Sequence, residues 1–265
     1  MIDPVLEDSR PRALVTGASM GIGAGFARAL AARGDDLVLV ARSAAALETL
    51  AEELRAKHGI RADVITADLA RMDAVDALLT ELAARDIEIG TLINNAGFGS
   101  HGFFAELDAQ YERDEISVNV AALVALSRAL LPGMIARRSG GIINVASTAA
   151  FQPVPYMATY GATKAFVLSF SVALAQEVRE HGVRVVALCP GQTTTNFFNG
   201  MEESRVGFAR SVEQVVATGL SALARGKVIA LDGPANFALA ASVQFAPRTI
   251  VAKIAARMMR PSTLH

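Results

Sequence analysis

The chain has 265 residues, a hydrophobic share of 52% and a net charge of −1. That is enough for one large domain with a sizeable core, and it offers no basic excess to recruit a nucleic acid. Cys189 is the only cysteine, which excludes an intrachain disulfide framework.

The stretch before residue 13 is polar and partly acidic and lacks the apolar core of a signal peptide. No run reaches the ~18 uninterrupted apolar residues expected of a spanning helix. Residues 118–131 come nearest, broken by Asn119, Ser127 and Arg128. A soluble cytoplasmic protein is the expectation. Short apolar, β-branched runs then recur at 13–16, 36–41, 63–67, 91–94, 141–146, 183–188 and 227–231, bounded by Gly, Pro, Asp or Asn. Such runs read as strands buried on both faces. Ala/Leu-rich helical patterns lie between them at 23–33, 44–58, 73–85, 111–137 and 156–181. The alternation predicts a doubly wound α/β fold over residues 1–265: a parallel seven-stranded sheet with helices on both faces. Residues 196–210 read as an irregular substrate lid. Residues 234–260 read as a C-terminal helical extension, with Ile250, Val251, Ile254 and Met258 at helical spacing among Arg248, Lys253, Arg257 and Arg260. Packing on its own subunit or a second one ranks ahead of lying on a membrane surface.

The first strand runs into Thr16-Gly17-Ala18-Ser19-Met20-Gly21-Ile22-Gly23, and a helix follows. Glycines there let the backbone turn tightly and approach a pyrophosphate, while the helix N-terminus offers free N–H groups and a positive dipole end. No lysine stands where an NTPase loop needs one. The second strand ends in Ala41-Arg42-Ser43, without the carboxylate that binds ribose hydroxyls in NAD sites. A guanidinium there suits a 2′-phosphate, so NADP(H) is expected over NAD(H).

Tyr160 and Lys164 are one helical turn apart and share a face. A cation beside a phenol favours the phenolate and brings its proton exchange toward neutral pH. The other tyrosines lack this partner: Tyr111 is followed four residues on by Glu115, and Tyr156 by Tyr160. Ser147 ends the preceding strand-like run, so the trio suggests proton transfer to an oxygen held by a serine.

Together these residues give the chain a look that resembles the short-chain dehydrogenases/reductases over roughly residues 13–231, closest to bacterial ketoacyl-reductase and hydroxysteroid-dehydrogenase-like members. The resemblance implies a Rossmann-type fold and assigns roles by position. Gly17, Ser19, Met20, Gly21, Ile22 and Gly23 match the cofactor loop, and Asp68-Leu69 the adenine contact. Asn94-Asn95-Ala96-Gly97 matches the motif along the cofactor. Asn119, Ser147, Tyr160 and Lys164 match the catalytic residues, and Pro190, Gly191, Thr193 and Thr195 the cradle of the nicotinamide carboxamide. It further implies hydride transfer between NADP(H) and a carbonyl or alcohol, with Tyr160 as general acid/base. Ser147 would stabilise the alkoxide, Lys164 would lower the Tyr160 pKa and bind ribose, and Asn119 would hold a relay water. Members commonly pair through the helices expected here at 111–137 and 156–181, so a homodimer or homotetramer follows.

Phe98, Phe103, Phe104, Phe151, Met157, Phe197, Phe198 and Met201 are candidate lining residues of an apolar substrate pocket. His101 reads as a surface-loop histidine, and the four scattered histidines show no metal-ligand spacing. Two other classes compete. A catalytically silent cofactor-binding regulator would be expected to lose Tyr160 or Lys164. A serine hydrolase needs Gly-x-Ser-x-Gly with a partner His; Gly17-Ala18-Ser19-Met20-Gly21 has that spacing, inside the glycine loop.

Overall fold

The computed structural model describes residues 10–193 and 209–261. Thr195, most of the expected lid, Phe197, Phe198 and Met201 lie outside the described residues. Seven parallel strands form one sheet: β1 (Arg12–Thr16), β2 (Leu37–Ala41), β3 (Ala62–Thr66), β4 (Ile89–Asn94), β5 (Gly140–Val145), β6 (Val183–Cys189) and β7 (Ile229–Leu231), in the order β3-β2-β1-β4-β5-β6-β7. The helices are α1 (Gly21–Ala31), α2 (Ala44–His58), α3 (Ala74–Ala84), α4 (Ala109–Ile116), α5 (Leu123–Ala136), α6 (Ala158–Val178), α7 (Val212–Ala224), α8 (Pro234–Gln244) and α9 (Arg248–Met259).

The strands are apolar throughout because both faces are covered. Alternate residues of β1 point to opposite layers. Val15 packs with Phe26, Leu47, Leu54 and Leu220 from α1, α2 and α7. Leu14 packs with Leu78, Leu126 and Leu174 from α3, α5 and α6. Full burial of each such side chain contributes about 1.5–3 kcal/mol. Local signals set the helix ends. Ser43 caps α2, which stops at the left-handed Gly59, and Ser211 with Gln214 forms a capping box on α7.

The expected helix at 111–137 is broken by a π turn, Ser117–Ala122, between α4 and α5. The extra residue re-aims Asn119, as π turns at functional sites often do. The expected start of the next helix at 156 also moves: Tyr156 has φ +66 and α6 begins at Ala158. The stretches Ala109–Ala136 and Ala158–His181 are long and apolar enough to cross a membrane by composition, a stronger signal than residues 118–131 alone had given. Both carry buried polar residues, among them Glu115, Asn119 and Lys164.

The strand order reverses between β1 and β4. Loops leaving their C-terminal ends diverge there and open a crevice, the usual ligand position in such sheets. A core pin crosses the same region. Asn94 on β4 pairs in register with Asn144 on β5, donating to its Oδ1 at 2.9 Å and to Ser127 Oγ at 3.1 Å. Asn144 donates in turn to Ser171 Oγ on α6 at 2.9 Å. The network fixes both strand ends that carry the site.

Candidate active site

A continuous cleft of roughly 2780 Å³ runs along the C-terminal ends of the strands. Drug-sized ligands occupy roughly 300–1,000 Å³, so this cleft has room for a dinucleotide and a second molecule. Gly17, Ser19, Met20, Gly21, Ile22, Arg42, Asp68, Leu69, Asn95, Ala96, Gly97, Ser147, Tyr160, Lys164, Pro190, Gly191 and Thr193 all border it. Two of the sequence-derived site residues in the described part, Gly23 and Asn119, do not.

The glycine loop leaves β1 with Gly17 at φ +64, a region that glycine enters without strain. Helix α1 starts at Gly21, so its first N–H groups and dipole face the cleft. Gly23 acts from behind: a Cβ there would lie 2.2 Å from the Gly17 carbonyl oxygen. Asn95 locks the loop to β4, its Nδ2 donating to Thr16 O at 3.0 Å. Thr16 Oγ1 accepts from the N–H groups of Asn95 and Ala96, each at 3.0 Å. Arg42 is exposed at the end of β2 on the cleft wall. Loop, helix terminus and guanidinium together fit a dinucleotide phosphate backbone.

At the other end, the first turns of α6 bring Tyr160 and Lys164 beside the end of β5. Tyr160 is hydrogen-bonded to Ser147, whose Oγ also accepts from Ala149 N at 3.1 Å. Lys164 Nζ donates to Val145 O at 2.9 Å and stands 5.7 Å from the Tyr160 ring centre. Asn119 donates to Phe98 O at 2.9 Å and to Thr163 Oγ1 at 3.1 Å, and accepts from Phe98 N at 3.1 Å. Both its N–H groups are therefore committed, and only Oδ1 faces Lys164 across Gly97.

The electrostatics correct one expectation. Burial raises the Tyr160 phenol to about 12; the Ser147 hydrogen bond opposes this and Glu115 adds to it. Burial likewise lowers Lys164 to about 8, against Glu115 and Cys189. The phenol is thus held above its ordinary value rather than below it, because desolvation of the charged form dominates.

Of the candidate lining residues, Phe98 and Met157 border the cleft. Phe103 instead meets the Tyr156 ring edge-on at 5.2 Å, Phe104 is exposed and Phe151 packs beside β5 and β6. His101 is not a free surface histidine: it borders the cleft, and its Nε2 is 2.9 Å from Met259 O at the end of α9. The tail thus returns to the cleft, which Leu239, Arg257, Met258 and Arg260 also border. Val251 and Ala255 form its buried face, leaving Ile250, Ile254 and Met258 exposed. At the near end of the expected lid, Arg210 bonds Gln192 O through its N–H and pairs with the buried Asp232 at 3.1 Å. Among the described residues no His/Cys/Asp/Glu group could hold a metal ion.

Comparison with known proteins agrees with this geometry. The sequence profile of the family described as short chain dehydrogenase matches residues 11–205. The hydroxysteroid dehydrogenase-like protein 1 of Gallus gallus is 34% identical over 81% of this chain and 66% of its own length. The very-long-chain 3-oxoacyl-CoA reductase of Phaeosphaeria nodorum is 40% identical over 65% of this chain and 52% of its own. The chain thus spans between about half and two thirds of these curated relatives. A short-chain dehydrogenase from Sphingobium yanoikuyae, solved with NADPH, superposes with a TM-score of 0.80 at 32% identity, covering 97% of this chain and 98% of that one. With a matching profile over most of its length, the sheet order above and relatives of the ketoacyl-reductase and hydroxysteroid-dehydrogenase kind, the chain belongs to the short-chain dehydrogenase/reductase family.

Proposed function

We propose that the chain is an NADP(H)-dependent oxidoreductase that interconverts a lipophilic ketone and its alcohol, with Tyr160 as general acid/base. The observation that carries this reading is the meeting, in one cleft, of the glycine loop at the α1 N-terminus with the hydrogen-bonded Tyr160–Ser147 pair and Lys164. A bound nicotinamide supplies or accepts the hydride. Gly17 to Ile22 would hold its phosphates, Arg42 a 2′-phosphate, and Lys164 a ribose.

A phenol held near 12 keeps its proton throughout the physiological range, which suits a donor to the oxygen of a carbonyl under reduction. Ser147 would hold that same oxygen and stabilise its growing charge. Phe98, Met157 and Leu239 give the substrate side an apolar wall, in keeping with the very-long-chain acyl substrate in the name of one curated relative. Exposed Tyr111, Ile116 and Phe166 on the long helices support pairing of subunits there.

The test is NADPH and NADH oxidation over a panel of bulky ketones, steroid ketones and 3-oxoacyl thioesters. Wild type turns over at least one of them with NADPH. Tyr160→Phe keeps NADPH binding within about threefold and loses about 10²–10⁴ in kcat. A variant with near wild-type kcat refutes the assignment. NADPH binding without turnover of any substrate would select the silent-subunit reading instead.

A further inference from the structure

Residues 98–100 form the turn that backs the Tyr160 ring. Asn119 grips this turn at Phe98 through two hydrogen bonds. Glu115, four residues earlier and fully buried, grips it at Ser100, whose N–H donates to Glu115 Oε2 at 3.0 Å. Gly99 lies between the two grips. Its backbone is so close to the ring that a Cβ would stand 2.7 Å from Tyr160 Cδ2. Glu112, on the same face of α4 as Glu115, accepts from Thr159 Oγ1, next to Tyr160. The Ser100 hydroxyl lies against the Glu115 carboxyl, and Glu112 Oε1 and Glu115 Oε1 are buried without a hydrogen-bond partner among the described residues. A carboxyl left in this state costs far more than an apolar side chain of the same size, so packing alone gives no reason for it.

We propose that Glu115 is a positioning residue of this active site: its buried carboxyl clamps the 98–100 turn against the Tyr160 ring, and its charge acts on Tyr160 and Lys164. The proposal rests on the oxidoreductase reading for its kinetic half. The groups facing Glu115 are Glu112 and Tyr111 from its own helix, Ser100 from the turn, and Tyr160 and Lys164 from α6. Burial raises Glu115 to about 7, with Glu112 adding and Ser100 and Lys164 opposing. Ionised, it opposes the phenolate of Tyr160 and favours the ammonium of Lys164. It therefore shifts the window of proton exchange to higher pH.

Two substitutions in the full chain separate clamp from charge. Glu115→Gln keeps an acceptor for the Ser100 N–H and removes the charge; Glu115→Met removes both. In alcohol oxidation with NADP, Glu115→Gln should move the alkaline limb of kcat/KM down by about half a pH unit or more. Its plateau kcat should stay within about threefold, and Glu115→Met should lose a further tenfold at every pH. A Gln variant with the limb at its wild-type position overturns the charge role. A Met variant matching Gln overturns the clamp.

A second readout needs no turnover. The folded carboxyl keeps its proton to about pH 7, whereas the unfolded one loses it near 4.5. Folding then binds a proton in that window, so wild-type stability falls as pH rises through it. The thermal midpoint of Glu115→Gln should therefore gain on wild type between about pH 5 and about pH 8. A constant difference overturns the buried charge whatever the kinetics show. A changing difference in a chain that turns over nothing refutes the proposed function and leaves the buried charge standing.

Discussion

Gly23→Ala tests whether the glycine loop is held in shape from behind. A Cβ at this position would lie 2.2 Å from Gly17 O, 2.8 Å from Gly17 C and 2.6 Å from Asn95 Nδ2. Ordinary C···O contacts begin near ~3.3 Å, so the loop and α1 must part by about 1 Å. Two of the three atoms are backbone, and the third is tied to Thr16 O, so nothing nearby yields easily. Overpacking of this kind costs about 1–3 kcal/mol, and in a chain of this size each kcal/mol lowers Tm by about 2–4 °C. A fall of about 2–12 °C is expected. The displaced loop should also lose at least one charge-assisted hydrogen bond to a cofactor phosphate, worth about 1.5–3 kcal/mol, or roughly a ten- to 150-fold rise in the NADPH Kd. Thermal melts and calorimetric titration with NADPH read the two effects separately. Gly34→Ala is the control: unlike Gly23 it has φ +83, but a Cβ there meets nothing within 4 Å, so it should lose about 1 kcal/mol of stability and no affinity. A Gly23→Ala protein with wild-type Tm and Kd would refute the reasoning.

Three other substitutions follow from the same geometry. Arg42→Asp should raise the NADPH KM at least about tenfold while leaving the NADH KM within about threefold; equal effects on both would remove Arg42 from the phosphate site. Lys164 titrates near 8 in the fold and 10.5 when unfolded. Unfolding therefore takes up a proton between those values, and stability rises with pH through that window. Wild type should accordingly gain on the order of 2–3 kcal/mol over Lys164→Met between about pH 7 and about pH 10.5, read by urea unfolding. Asn144→Leu strands one Asn94 N–H and removes the donor to Ser171, so it should destabilise by about 2–4 kcal/mol in the same assay. A change under about 0.5 kcal/mol would mean that the buried network is dispensable.

The loop from Thr16 to Gly23, the Tyr160–Lys164 face and the seven apolar strand runs were all legible in the chain, because each depends on spacing along a few residues. Local chemistry dictates a tight turn after a strand, an i, i+4 pair on a helix and a strand buried on both faces. Other features were out of reach. Glu115 stands out in the sequence only as the residue four positions after Tyr111, and folding buries it against Ser100. His101 and Met259 meet across 158 positions of sequence, a separation that no periodicity encodes. Lys164 was expected to ease the proton from Tyr160, and burial of both groups reversed the direction. Ion pairing can be read from two neighbours on a helix face, but desolvation sums over every group that excludes water, and only the packed tertiary structure decides that sum.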